Sequence, residues 1–146
     1  KLLFDFLDAV NAEYDYCLID CPPSFTAASV AAIYASDDVI IPAETDLFSV
    51  MGLATLIKQV DSVRLIQPRV RVSGVLITKW HNTAACVQGG AALRASTVPV
   101  FDTHIRRSDK VTESIFQRQS LQQYSPRSAA GCDYRTFVDE YVEGVR

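Results

Sequence analysis

The sequence predicts an α/β protein built on an open, mostly parallel sheet with helices on both faces. Three observations predict it. Short, continuous apolar runs alternate with stretches of helical periodicity along the chain. The runs lack the polar alternation of a half-exposed strand, as expected of strands covered on both faces. The residues that bear candidate chemistry fall at the carboxyl ends of these runs, where open α/β sheets bind ligands.

The elements follow in order. "KLLFDFLDAVNAEYD" opens the chain with Leu3, Leu7 and Val10 on one helical stripe. Its acids, Asp5, Asp8 and Glu13, distinguish it from a signal peptide. "YCLI", residues 16–19, reads as a first buried strand ending at Asp20. An Ala-rich helix spans about 26–35, and "DVIIP" gives a second strand over 39–41, stopped by Pro42. From Phe48 the apolar positions Val50, Leu53, Ile57 and Val60 share a helix face to about Ile66, and Pro68 ends it. "VRVSGVLIT" is a third strand over 70–78. A helix over 82–96 follows, weakened by Gly89 and Gly90. "VPVFDTHI" is a fourth strand. Ser108 is an N-cap for a short helix, residues 120–128 form a bend, and a last helix runs from Ala129 to Val145 with Phe137, Val138, Tyr141 and Val142 facing inward.

The chain has 146 residues, 49% hydrophobic and 21% charged, as for one globular domain. No apolar run approaches the ~20 residues that cross a bilayer. The four cysteines, Cys17, Cys21, Cys86 and Cys132, complete neither a zinc pattern nor a disulfide framework and are expected to be free thiols. Net charge is −3, unevenly spread: residues 1–63 hold two bases against ten acids, residues 64–146 twelve bases against seven acids. That asymmetry fits either a polyanion-binding face or two solvated surfaces. His81 and His104 have no nucleophile in a recognisable motif and read as structural or surface residues, and Trp80 as packing at a strand end.

Asp20 raises the sharpest question. A carboxylate at the end of a buried strand is costly to desolvate without a cation or hydrogen bonds. It either caps the following turn or takes part in holding a hydrated Mg²⁺ on nucleotide phosphates, an ion that keeps several waters and takes one or two carboxylates.

Residues 20–24, "DCPPS", close the first strand. Ile41–Pro42 closes the second, and Phe48 precedes Gly52–Leu53 at the start of a long helix. The turn Ile105–Arg106–Arg107 and the bend Ser120, Tyr124, Pro126, Ser128 follow later. In this order and spacing the whole chain resembles the ParA/Soj family of partition ATPases, relatives of MinD, from the helix before the Walker B strand onward. The resemblance implies a P-loop NTPase-like fold, with the chain as the carboxyl-terminal part of a single nucleotide-binding domain. It implies that Asp20 holds the Mg²⁺ of bound ATP through water, with Pro22 and Pro23 turning the chain away from the phosphates. Thr78, Lys79, Arg106 and Arg107 would line the base pocket, partly through backbone groups. At Arg106 the family usually has proline, at Met51 an acid, and at Glu44 and Asp46 often glutamine and glutamate. No Gly-rich Lys-Ser/Thr phosphate loop occurs in the chain, so ATP turnover by these residues alone is expected to be negligible. With the phosphate-loop strand outside the sequence, the expected consequences are direct strand pairing across the gap or self-association.

The same resemblance implies an ATP-bound homodimer, sequence-independent DNA binding on the nucleoid in the cytoplasm, and a ParB-like partner. Arg64, Arg69, Arg71, Arg94, Arg118 and Arg127 are candidate phosphate contacts, or equally solvated surface charges. The acidic last helix, with Asp139, Glu140 and Glu143, argues against membrane targeting. The alternative is a non-hydrolysing interaction module of the same fold. The iron–sulfur members of the superfamily fit less well, because Cys17 and Cys21 do not match their bridging-cysteine motifs.

Overall fold

The structure is a computed structural model that describes residues 2–22 and 24–145, the side chains of Leu47, Phe48, Val50 and Val145 excepted. Pro23 and the side chains of Phe48 and Val50 therefore lie outside the described residues.

Helix α1 (Leu2–Val10) passes into a 3-10 turn over Asn11–Glu13. Then come α2 (Ala27–Tyr34), β1 (Asp38–Ala43), α3 (Leu47–Arg64), β2 (Arg71–Trp80), α4 (Ala84–Arg94), β3 (Val100–Arg106), α5 (Asp109–Phe116), α6 (Leu121–Tyr124) and α7 (Ala129–Val145). The strands form one sheet in the order β1-β2-β3, with β2 and β3 parallel. Each strand reaches the next through a helix, the connection a parallel sheet requires. Pro42 sits on β1, an edge strand of this sheet, the position where a sheet tolerates proline.

The caps explain the boundaries. Thr26, Thr83 and Ser108 each accept a backbone N–H from the first turn of the helix that follows. Residues 120–128 do more than bend. Ser120 and Gln123 exchange hydrogen bonds in a capping box and wind the one-turn α6.

The chain divides into two compact units. The first comprises Lys1–Val39 and Gly52–Ser73. Its core is Ile33, Val60, Val63 and Val70, with Val30, Tyr34, Val39 and Val72 packed around them. Asp38 takes the guanidinium of Arg71 and the hydroxyl of Ser73, at 2.6 Å, within this unit. The second comprises Ile40–Met51 and Gly74–Arg146, with Leu76, Ile105 and Ala130 at its centre and Ile40, Phe101, Val111, Leu121 and Phe137 against them. Neighbours on β2 point to opposite faces. Leu76 packs with Ala130 of α7, and the Ile77 side chain lies 3.8 Å from where a Cβ on Gly90 of α4 would stand.

Three expectations are corrected. Residues 16–19 are not a strand: Tyr16 and Leu18 are exposed, Leu18 to 92%, and the segment belongs to no sheet. A continuous apolar run signals burial, but a strand exists only with a lateral neighbour, and among the described residues none lies beside this one. Direct pairing of 16–19 with β1 across the gap is thus not formed. Cys17 and Cys21 are exposed for the same reason, and all four cysteines are free thiols. Val138, expected to face inward, is 53% exposed on α7.

Candidate functional site

The carboxyl ends of β2 and β3 carry four of the residues the sequence singled out for the nucleotide, Thr78, Lys79, Arg106 and Arg107. At the end of β2, Thr78 is half-buried and donates its hydroxyl to the Ala43 carbonyl at 3.4 Å. Lys79 has φ of +50°, a left-handed conformation rare outside glycine, and its ammonium meets Glu44 Oε1 at 2.6 Å. Trp80 packs on His104 of β3 with ring centroids 4.4 Å apart, as a structural reading of both residues requires. The loop after β1 is held from below: Gly89 of α4 comes so close that a Cβ there would stand 2.1 Å from the Thr45 carbonyl oxygen. A hydrogen bond from Thr45, then one from Thr83, hold the Cys86 thiol below its ordinary pKa. Asp46 caps the start of α3, accepting from the Ser49 N–H at 2.9 Å.

At the end of β3, Arg106 is committed. Its guanidinium meets Asp133 of α7 at 2.7 and 2.9 Å, and its backbone N–H donates to the same carboxylate at 2.9 Å. The Asp133 side chain is only 12% exposed. Burial raises its pKa, but the hydrogen bonds and charge of Arg106 outweigh burial and hold it below the usual carboxylate value. The Arg107 N–H donates to the Trp80 carbonyl at 3.1 Å, which ties the turn back to β2. Asp133 was not legible in the sequence, since nothing in "AAGCDYRTF" marks one carboxylate as a partner of residue 106.

Asp20 and Pro22 belong to the first unit. Both are exposed, in the irregular stretch between the 3-10 turn and α2, and no hydrogen bond or ion pair reaches the Asp20 carboxylate among the described residues. Asp20 is therefore not at a strand end, contrary to the sequence reading. Among the described residues no three His, Cys, Asp or Glu cluster as a metal site. A single carboxylate open to water suits a hydrated Mg²⁺ whose other ligands are phosphate and solvent, and nothing more closed than that.

Of the arginines offered as phosphate contacts, three are already paired. Arg64 meets Asp61 at 3.1 Å, Arg71 meets Asp38, and Arg94 donates to the carbonyls of Phe101 and Asp102 at 3.0 and 3.2 Å. Arg69, Arg118 and Arg127 are exposed. Among the described residues no helix is long and apolar enough to cross a membrane.

A parallel sheet whose strand ends gather polar groups and whose β2 is flanked by helices on both faces defines an open α/β protein, and the solved structures it resembles have the P-loop NTPase-like fold. Comparison with known proteins narrows the class. A family model for the AAA domain matches residues 1–72. The chromosome-partitioning ATPase Soj of Thermus thermophilus is 30% identical over 136 residues, 91% of this chain and 55% of that protein. The chromosome partitioning protein ParA of Caulobacter vibrioides is 30% identical over 149 residues, 99% of this chain and 56% of the relative. Among solved structures, the septum site-determining protein MinD of Pyrococcus horikoshii, complexed with Mg-ADP, superposes with a TM-score of 0.72 at 17% identity, over 97% of this chain and 54% of that one, a likeness of fold. Along nearly its whole length the chain is similar to the ParA/Soj partition ATPases, and it shares the fold of MinD. It spans about half the length of the curated relatives it matches.

Proposed function

We propose that the chain is the carboxyl-terminal part of the nucleotide-binding domain of a Mg-ATP-dependent ParA/Soj-type ATPase acting in chromosome or plasmid partitioning. The observation that carries the reading is the match to partitioning ATPases along nearly the whole chain, joined to a polar cluster at the strand ends where such folds bind ligands. In this reading Asp20 holds Mg²⁺ through water. The ends of β2 and β3, with Thr78, Lys79 and the turn 105–107, receive the base. Since the side chains of Lys79 and Arg106 are held by Glu44 and Asp133, their part is to shape the pocket, and backbone groups meet the base. The whole protein works as a homodimer in the cytoplasm and binds DNA without sequence preference through phosphate contacts. Arg69, Arg118 and Arg127 are the candidates whose side chains hold no partner among the described residues. A ParB-like partner stimulates hydrolysis.

The test starts from the gene. Intact mass and amino-terminal sequencing of the native protein, set against the reading frame upstream of Lys1, establish whether a Gly-rich Lys-Ser/Thr loop precedes this chain. With that loop present, Asp20→Ala in the native protein is expected to lower kcat for ATP at least a hundredfold, on the order of what loss of metal-ion positioning costs. A native protein beginning at Lys1, or an Asp20→Ala variant with full turnover, sinks the reading. The open, irregular setting of Asp20 favours a second reading, an interaction module without nucleotide chemistry. An upstream phosphate loop separates the two.

A further inference from the structure

We propose that Asp133 is a positioning residue that sets the exit turn of β3, Ile105–Arg106–Arg107, and through it the nucleotide-base contact, by a clasp that a proline ring at position 106 can replace. The second half of the statement rests on the nucleotide-binding reading above, and the first does not.

Three features carry it. First, position 106 pairs with Trp80 in the parallel ladder, and the N–H that bonds to the Trp80 carbonyl belongs to Arg107. In a parallel pair the residue registered opposite turns its own N–H away from its partner. The Arg106 N–H accordingly leaves the sheet and goes to Asp133 at 2.9 Å. Second, one carboxylate takes both the main chain and the guanidinium of the same residue, at 2.9 and 2.7 Å, which fixes backbone and side chain together. Third, the clasp is built in: the Asp133 side chain is 12% exposed, and Arg106 donates also to the Ala129 carbonyl at 3.5 Å. Asp133 is therefore anchored on α7, whose Ala130 lies in the core with Ile105.

A proline at 106 would lose no ladder bond, because the N–H it lacks is not in the ladder. It would fix φ near −65°. It would also remove the donor that Asp133 satisfies. The clasp and the ring are alternative locks for one turn.

The experiment uses the native full-length protein and three variants, Asp133→Ala, Arg106→Pro and the double variant, each checked by circular dichroism and thermal melting. One readout is the Kd of fluorescent N-methylanthraniloyl-ADP with Mg²⁺, and of the guanine analogue. The other is amide exchange at Arg107. With the clasp gone, Asp133→Ala is expected to bind the adenine analogue about tenfold more weakly, the scale of a lost charge-assisted hydrogen bond, and to lose adenine-over-guanine preference. The same variant exchanges the Arg107 amide about tenfold faster. The double variant is expected to regain both properties to within about threefold. A folded Asp133→Ala variant with wild-type affinity and exchange overturns the proposal, as does a double variant no better than Asp133→Ala. If the wild-type protein binds neither analogue, the nucleotide reading fails and the base-contact half with it. Arg107 exchange then decides alone whether the clasp sets the turn.

Discussion

Glu140 accepts the backbone N–H of Thr103 at 2.9 Å and, with its other oxygen, that of Asp102 at 2.7 Å, so one side chain of α7 satisfies two successive amides of β3 where its register with β2 shifts. Glu140→Ala would leave two strand amides without their acceptor. We expect a loss of about 1–3 kcal/mol, the cost of unmade hydrogen bonds to a charged group. Urea unfolding measures it, and exchange at Asp102 and Thr103 should accelerate while that at Val75 stays slow. Unchanged stability would mean that solvent replaces Glu140 at no cost.

The pH dependence of stability follows from Glu140 and Asp133. Burial raises the pKa of each. Hydrogen bonds outweigh it, from Thr103 and Asp102 in one case and from Arg106 in the other, so both carboxyls sit below their ordinary values. A group whose folded pKa is depressed stabilises the fold above its unfolded pKa, about 4 for these acids, and that contribution is lost as pH falls through the folded value. Stability should therefore decline on acidification below about pH 4. Asp133→Asn and Glu140→Gln should each lower stability at pH 7 and converge with the wild type toward pH 2. Parallel stability curves for variant and wild type across that range would refute the assignment.

Two glycines that look alike in sequence should respond oppositely to alanine. A Cβ on Gly89 meets the Thr45 carbonyl oxygen at 2.1 Å, and backbone cannot move aside as a flexible side chain can. Gly89→Ala should destabilise by roughly 1–3 kcal/mol, the range of overpacking. Gly52, within α3, has nothing within 4 Å of its would-be Cβ. There alanine should stabilise by about 0.5–1 kcal/mol, the helix cost of glycine. Thermal melts of the two variants test the pair, and a neutral Gly89→Ala would mean that α4 shifts freely from the loop after β1.

What the sequence revealed and what it hid divide along one line. Signals local in the chain were legible: the Thr26–Ala35 and Ala129–Val145 helices, the Ser108 cap, and the three strands that found neighbours. The turn chemistry of Ser120–Gln123 was also present in the sequence, as the capping-box pattern of a Ser followed three residues on by a Gln. Features that depend on a distant partner were not legible. Residues 16–19 carry the composition of a buried strand, but composition says nothing of whether a neighbouring strand is at hand. The clasp of Asp133 on Arg106 joins residues 27 apart, and the inward face assigned to Val138 depended on which helices cover α7. The candidate site divides the same way, with Thr78, Lys79 and the 105–107 turn at strand ends and Asp20 outside any strand.

Residues 16–19 offer the last prediction. No backbone hydrogen bond within residues 16–22 is formed among the described residues, and Tyr16 and Leu18 face solvent. Amides without acceptors exchange at rates close to those of an unfolded chain, whereas β2 amides require opening of the core. In the 146-residue chain, Cys17, Leu18 and Ile19 should exchange within the dead time of a mixing experiment, and Val75 and Ile77 should exchange at least a thousandfold more slowly, as for core strands that open only sub-globally. Adding a chain that supplies a strand beside 16–19 should slow the first group without changing the second. Slow exchange at 16–19 in the 146-residue chain alone, together with a concentration-dependent mass, would mean that two copies pair along this segment, the self-association expected of an uncovered strand.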